Sequence, residues 1–349
     1  MRFSTPLGAL LLCAAPLHMA APAGALARSP AARIEVLEVA GRTLRGNPLG
    51  DPVARRVALF LPAETPPGAP LPVVYYLPGY GGSSEDFIAQ GERSPFAAVV
   101  QQCASEGAPL LIAVPDARNR WGGSQYLNSP AQGSYADYIA EEIVAAVEAA
   151  HPASTRIIAG HSSGGYGALM LGMARQKVFG AVVALSPDGD FEVTHRGLVE
   201  QPEVRRVTPR DIDAFFGPAK TAPRPQGAVE LVLGLSAAYT PAGASQPGRI
   251  QWLYDAAGKW QPQVWQRWLD LDPLLIVRGK KDAFSPAQRI YLDGSAQDEW
   301  GFNLSTRKIY DVLQPRGAHV TFHEPPGHHS DRIPERLARG LSWVLKPTP

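Results

Sequence analysis

Apolar residues in this chain fall into short blocks of two kinds. Runs at 72–77, 110–114, 156–159 and 181–185 are largely apolar and of strand length, as expected for strands buried on both faces. Stretches at 34–39 and 56–60 predict two earlier strands, the second ending at Leu61-Pro62. Runs at 274–277, 289–292 and 318–324 predict three later ones, with Val320 and Phe322 on one face of the last. Other apolar residues recur at helical spacing, as do Ile139, Ile143, Val144 and Val147 within 135–150. Segments 95–104, 164–170, 304–314 and 332–345 also read as helical, the last with Pro334 tolerable in its first turn. Strands alternating with helices predict an α/β fold, a mostly parallel central sheet with right-handed crossovers and helices on both faces.

Segment 188–273 breaks the alternation. It holds Pro-rich pieces and the aromatic set Trp252, Trp260, Trp265 and Trp268. It is expected to form an irregular cap-like insertion over the sheet, without a core of its own. The tryptophans are expected to pack that cap, with a substrate wall as the alternative. At the other end, Arg2, an apolar run at 7–17 and Ala25-Leu26-Ala27 read as a secretory signal over 1–27, leaving a single domain over 28–349. The run is too short to span a bilayer, so a periplasmic or secreted protein with no stable membrane insertion is expected. Cleavage would leave Cys103 as the one thiol, with no internal disulfide to form, and its helical setting predicts a core position. A net charge of +1 gives no argument for a nucleic-acid partner.

The candidate chemistry centres on Gly160-His161-Ser162-Ser163-Gly164, between the apolar run at 156–159 and a small-residue helix. In a strand–turn–helix context G-x-S-x-G forms a sharp turn that strains its central residue and exposes the Ser162 hydroxyl at the sheet edge. Gly160 and Gly164 supply the small neighbours such a turn needs. A serine is a weak nucleophile near neutral pH and needs a base. His319 and His323 lie inside a strand pattern. His328 and His329 follow Pro325-Pro326-Gly327 after the last strand, and one of the pair is expected to be the base. The orienting acid precedes the histidine in chain order. Asp298, beyond the run at 289–292 and a Gly294 turn, is favoured over Asp282, with the adjacent Glu299 as the fallback. Two N–H donors must meet the oxyanion. The Ser163 backbone supplies one, and Tyr80, in Gly79-Tyr80-Gly81-Gly82, is expected to supply the other. No His or Cys pattern has metal-ligand spacing and the Gly79 loop lacks the phosphate-loop ending, so neither metal nor cofactor is expected.

Residues 160–169 resemble the nucleophile segment of the esterase D / putative esterase family, which includes S-formylglutathione hydrolases, feruloyl esterase domains, enterochelin-esterase-like proteins and mycolyltransferases. Residues 47–62 look like its N-terminal strand pair, and 73–82 like its oxyanion segment with Pro78 where His is common. Residues 122–129 look like a loop near its active site, and 291–299 like its acid segment. Residues 326–332 resemble its Gly-Gly-His segment, with His328 replacing the second Gly, and that register makes His329 the base. The resemblance spans Val39 to Leu345. It implies an α/β-hydrolase fold and a serine esterase that acts on small-molecule esters through Ser162, His329 and Asp298. An acyltransferase with the same machinery, or a binding protein on a hydrolase scaffold, are the alternatives. Substrate specificity and oligomeric state stay open.

Overall fold

The computed structural model describes residues 32–216 and 226–346; the leader expected over 1–27 lies outside them. Eight strands form one sheet: β1 Arg33–Val39, β2 Arg55–Leu61, β3 Leu71–Leu77, β4 Leu111–Pro115, β5 Ala153–His161, β6 Ala181–Leu185, β7 Arg289–Asp293 and β8 His319–His323. They lie in the order β1-β2-β4-β3-β5-β6-β7-β8. Strand β2 runs antiparallel to both neighbours, and every other pair is parallel. This mostly parallel sheet, wrapped by helices, is the α/β-hydrolase arrangement that the resemblance implies.

The unbroken apolar runs follow from burial on both faces. Val73, Tyr75 and Leu77 of β3 join one core cluster with Ile158, Val182 and Ile290. The alternate residues Val74 and Tyr76 join a second, with Ile157, Val183 and Tyr291. Helices α1 (Pro95–Ser105), α2 (Ser163–Ala174), α3 (Ala228–Tyr239), α4 (Phe302–Leu313) and α5 (Ile333–Leu345) are the ones that bear on the site. Cys103 is buried on α1, in the second cluster with Leu337 and Leu341 of α5. The stretch expected to be helical at 135–150 is so throughout, with a π-helical middle over Tyr138–Ile143.

One expected strand is wrong. Residues 274–277 lie in a helix, Pro273–Gly279. Asp272 caps it, its carboxylate accepting from the Leu274 N–H at 2.8 Å, and Pro273 sits in the first turn. Leu274 and Val277 are buried while Leu275 is exposed. That three-residue spacing is helical, and the Asp-Pro start decided the segment against its apolar composition.

Between β6 and β7 the described residues form helices joined by irregular stretches. Short helices at Phe191–Thr194, Arg196–Val199, Pro202–Arg205 and Pro209–Phe216 precede α3, and Pro262–Leu269 follows it. Trp252, Trp265 and Trp268 are buried in a third cluster, which also takes in Tyr166 of α2 and Trp121. Among the described residues no helix is long and apolar enough to cross a membrane.

Candidate active site

Strand β5 ends at His161 and α2 begins at Ser163, which leaves Ser162 alone in the turn at φ 58°, ψ −126°. Few non-glycine residues occupy that region, and holding one there costs about 1–3 kcal/mol. The surroundings impose it. Ser162 N–H donates to the Leu185 carbonyl of β6 at 3.0 Å. A Cβ on Gly164 would overlap the Leu77 carbonyl oxygen, and one on Gly160 would overlap the Gly164 backbone. Only glycine fits at either position, so the two glycines are required by close approach to β3.

His329 follows β8 and is held through both its backbone and its ring. Its Nδ1 donates to Asp298 Oδ2 at 2.7 Å. Its N–H donates to Glu299 Oε2 at 3.0 Å. Its carbonyl accepts from His161 Nε2 and from the Arg336 guanidinium, each at 2.9 Å. Burial alone would raise the Asp298 carboxyl, but the hydrogen bond and charge of His329, with support from Ser186 and the Trp300 N–H, hold it below its ordinary value. His161 is pushed down to about 3, by burial and then by His329 and Arg336, so it is a neutral donor. The Asp298 and His329 loops are also joined through their backbones, Ala296 N–H to Pro325 O at 2.8 Å and Gln297 N–H to Gly327 O at 3.0 Å.

The geometry separates the alternatives that the sequence left open. His328 points outward, with its side chain 69% exposed and its ring 3.8 Å from Glu299. Asp282 is exposed on another loop, where its carbonyl accepts from Gln176. Glu299 does bond His329, but through the backbone N–H and not the ring.

The loop after β3 is braced by residues 118–126. Tyr126 Oη donates to the Pro78 carbonyl at 2.6 Å, and Gly81 N–H donates to the Gly122 carbonyl at 2.9 Å. The Tyr80 hydroxyl donates to the Trp121 carbonyl. Glycines surround the Tyr80 ring, and a Cβ at Gly122 or Gly123 would lie 2.8 or 2.7 Å from it. Gln125 and Tyr126 both take positive φ, 50° and 55°, so the brace stores strain of its own.

Ser162, Ser163, His329, Gly79 and Tyr80 line one cavity of about 290 Å³. Its walls include Leu198, Leu231 and Leu235, and Trp300 and Phe302 from the segment that follows Asp298. Leu198, Leu231, Tyr80 and Trp300 also border a second cavity of about 610 Å³, which holds Arg118 and Glu230. None of Trp252, Trp260, Trp265 and Trp268 lines the cavity beside Ser162; the tryptophan that does is Trp300, which is 47% exposed. Sequence reasoning also missed Asp188 and His195, which line the same cavity and are buried. A signal for Asp188 was present, because it lies just beyond β6, at the carboxyl edge where ligand-binding residues of parallel sheets gather. Among the described residues no cluster of three or more His, Cys, Asp or Glu could hold a metal.

Residues 52–329 match the family described as Esterase, putative esterase. The chain belongs to the putative esterase family. Membership makes it a carboxylic-ester hydrolase, with small-molecule esters as its substrates. Solved structures of esterases share its fold. An S-formylglutathione hydrolase from Agrobacterium tumefaciens is 18% identical with a TM-score of 0.56, over 90% of this chain and 95% of that one. A fluorophosphonate-binding serine hydrolase from Staphylococcus aureus is 15% identical with a TM-score of 0.56, over 91% and 100%. A ferulic acid esterase from Anaeromyces mucronatus is 14% identical with a TM-score of 0.52, over 91% of each. At these identities the likeness concerns fold, and the substrate named for each relative is its own.

Proposed function

We propose that this esterase works by covalent serine catalysis with Ser162, His329 and Asp298. Ser162 Oγ attacks the ester carbonyl carbon while His329 Nε2 takes its proton. The oxyanion accepts hydrogen bonds from the Ser163 and Tyr80 backbone N–H groups. Collapse of the intermediate breaks the ester bond, and His329 returns the proton to the departing alcohol. Water then attacks the acyl-enzyme, with His329 as base again, and releases the acid. Asp298 keeps Nδ1 protonated and stabilises the imidazolium. The observation that carries this reading is the 2.7 Å bond from His329 Nδ1 to Asp298, on the cavity that Ser162 enters from a strained turn. The apolar run at 7–17 and Ala25-Leu26-Ala27 support export to the periplasm or beyond.

A fluorophosphonate probe tests the nucleophile. Wild-type protein should be labelled at Ser162 and should release a burst of chromophore from a short-chain nitrophenyl ester. Ser162→Ala should do neither while keeping its circular dichroism spectrum. Labelling elsewhere, or turnover retained by the variant, would overturn the assignment.

A further inference from the structure

Asp188 and His195 stand apart from the groups used above. Both are buried, 3% and 4% exposed, and both line the cavity beside Ser162. Asp188 Oδ2 accepts from Gln125 Nε2 at 3.1 Å and from Ser163 Oγ at 3.4 Å. His195 Nε2 lies 3.8 Å from the same oxygen, beyond hydrogen-bond reach. The Thr194 hydroxyl proton goes to the Gly189 carbonyl at 2.8 Å, so Thr194 Oγ1 accepts from His195 Nδ1, also at 2.8 Å. This assigns the tautomer: His195 Nδ1 carries the proton and Nε2 is bare. The ring packs on Phe191 at 4.5 Å, and burial keeps it neutral. Two acceptors therefore lie 3.8 Å apart on the cavity wall.

No Lys or Arg pairs with Asp188 among the described residues: its hydrogen-bond partners Gln125 and Ser163 are neutral, His195 beside it is neutral, and the one charge that reaches it is that of His329. Buried carboxylates are ordinarily paired with a positive charge. A ligand hydroxyl has one proton and would satisfy one of the two acceptors. An ammonium has three, and brings a fixed positive charge that the neutral hydrogen-bond partners of Asp188 do not supply. The rings of Tyr80, Trp300 and Phe302 on the cavity wall suit a cation as well.

We propose that Asp188 and His195 recognise a protonated primary amine on the acyl portion of the substrate, so that short amino-substituted carboxylic esters are the preferred class. This rests on the assignment of Ser162 as nucleophile. The short hydrogen-bonded path from Asp188 to Ser163, the nucleophile's neighbour, limits the acyl group to a few atoms.

The test compares the nitrophenyl esters of β-alanine and butyric acid, which differ in an ammonium for a methyl group. Rates are corrected for the esters' own hydrolysis by hydroxide. Wild-type protein should show at least tenfold higher kcat/KM for the β-alanine ester. Asp188→Asn and His195→Phe should each lower that preference at least fivefold, whatever they do to either rate alone. An equal rate on both esters in wild-type protein, or a preference untouched in Asp188→Asn, would overturn the proposal. Calorimetry on Ser162→Ala with the methyl esters of the two acids examines the amine site without the chemistry. Binding of the β-alanine ester alone, lost on Asp188→Asn, supports the site, and equal heats for the two esters sink it. Failure to turn over both nitrophenyl esters would count against Ser162 as nucleophile, and the calorimetric comparison would still decide the amine site.

Discussion

Gly234, in the middle of α3, decides where Tyr80 can sit. A Cβ there would overlap the Tyr80 hydroxyl and lie 3.2 Å from Tyr80 Cζ and from the Trp121 carbonyl oxygen. Carbon and oxygen in ordinary contact sit about 3.5 Å apart, so the hydroxyl of a Gly234→Ala protein must retreat by about 1 Å. The ring cannot swing aside freely, because Gly122 and Gly123 hug its faces. The displacement therefore passes to the Tyr80 backbone and breaks the bond to the Trp121 carbonyl. Misplacing a reacting group by about 1 Å can cost about 100-fold in rate, and loss of an oxyanion donor costs about 100- to 1000-fold. We expect kcat on a nitrophenyl ester to fall about 10- to 100-fold, with KM changed much less. Stability should fall by no more than about 2 kcal/mol, since overpacking costs about 1–3 kcal/mol while Ala in place of Gly in a helix returns about 1 kcal/mol. Tyr80→Phe in the same protein removes the clashing oxygen and should restore most of the loss. Steady-state kinetics on the two single variants and the double variant measures the coupling. Wild-type kcat in Gly234→Ala, or a double variant no better than Gly234→Ala, would refute the link from α3 to the oxyanion loop.

Asp298→Asn should lower kcat by on the order of 10⁴-fold, since the amide no longer fixes the His329 tautomer; a loss below tenfold in single-turnover assays would point to another orienting acid. Ser162→Gly should melt above Ser162→Ala by an amount worth about 1 kcal/mol, because glycine tolerates the positive φ and alanine does not, and equal melting temperatures would deny the strain. Burial first of all raises the Asp188 carboxyl from 3.8 to about 6, against a hydrogen bond from Gln125, the charge of His329 and a hydrogen bond from Ser163. Folded protein thus holds that proton more tightly than the unfolded chain, and the ionised group costs stability progressively as pH rises from about 4 to 6. The full effect is at most about 3 kcal/mol, so Asp188→Asn should raise the melting temperature at pH 7 and change it little at pH 4. Arg336→Met leaves Asp293, fully buried, without its cation and should cost about 3–5 kcal/mol in denaturant melts, recovered in good part when Asp293→Leu is added.

Most strands were legible because a parallel sheet covered on both faces demands unbroken apolar runs; six of the eight lie in or beside one, and the two edge strands β1 and β8 interleave polar residues instead. The turn at Ser162 was legible because close packing against Leu77 leaves no alternative to Gly160 and Gly164. Choosing His329 over His328 needed the family register, since both sit in the same loop and only folding turns one ring inward. Helix α3 was not legible. Its sequence is apolar nearly all round because it is buried between elements, so it shows no periodic face. Residues 274–277 misled for a related reason, with an apolar core that suits a strand and a start that suits a helix. Asp188 and His195 went unread because their partners, Gln125, Ser163 and Thr194, are ordinary polar residues whose convergence exists only in three dimensions.

Arg336 belongs to the closing helix, yet its guanidinium reaches the His329 and Asp331 carbonyls, the Ser186 hydroxyl and Asp293 together. One side chain thereby ties the segment after β8 to the ends of β6 and β7, so the spacing of three separate loops at the carboxyl edge of the sheet is fixed from a helix packed on its far side.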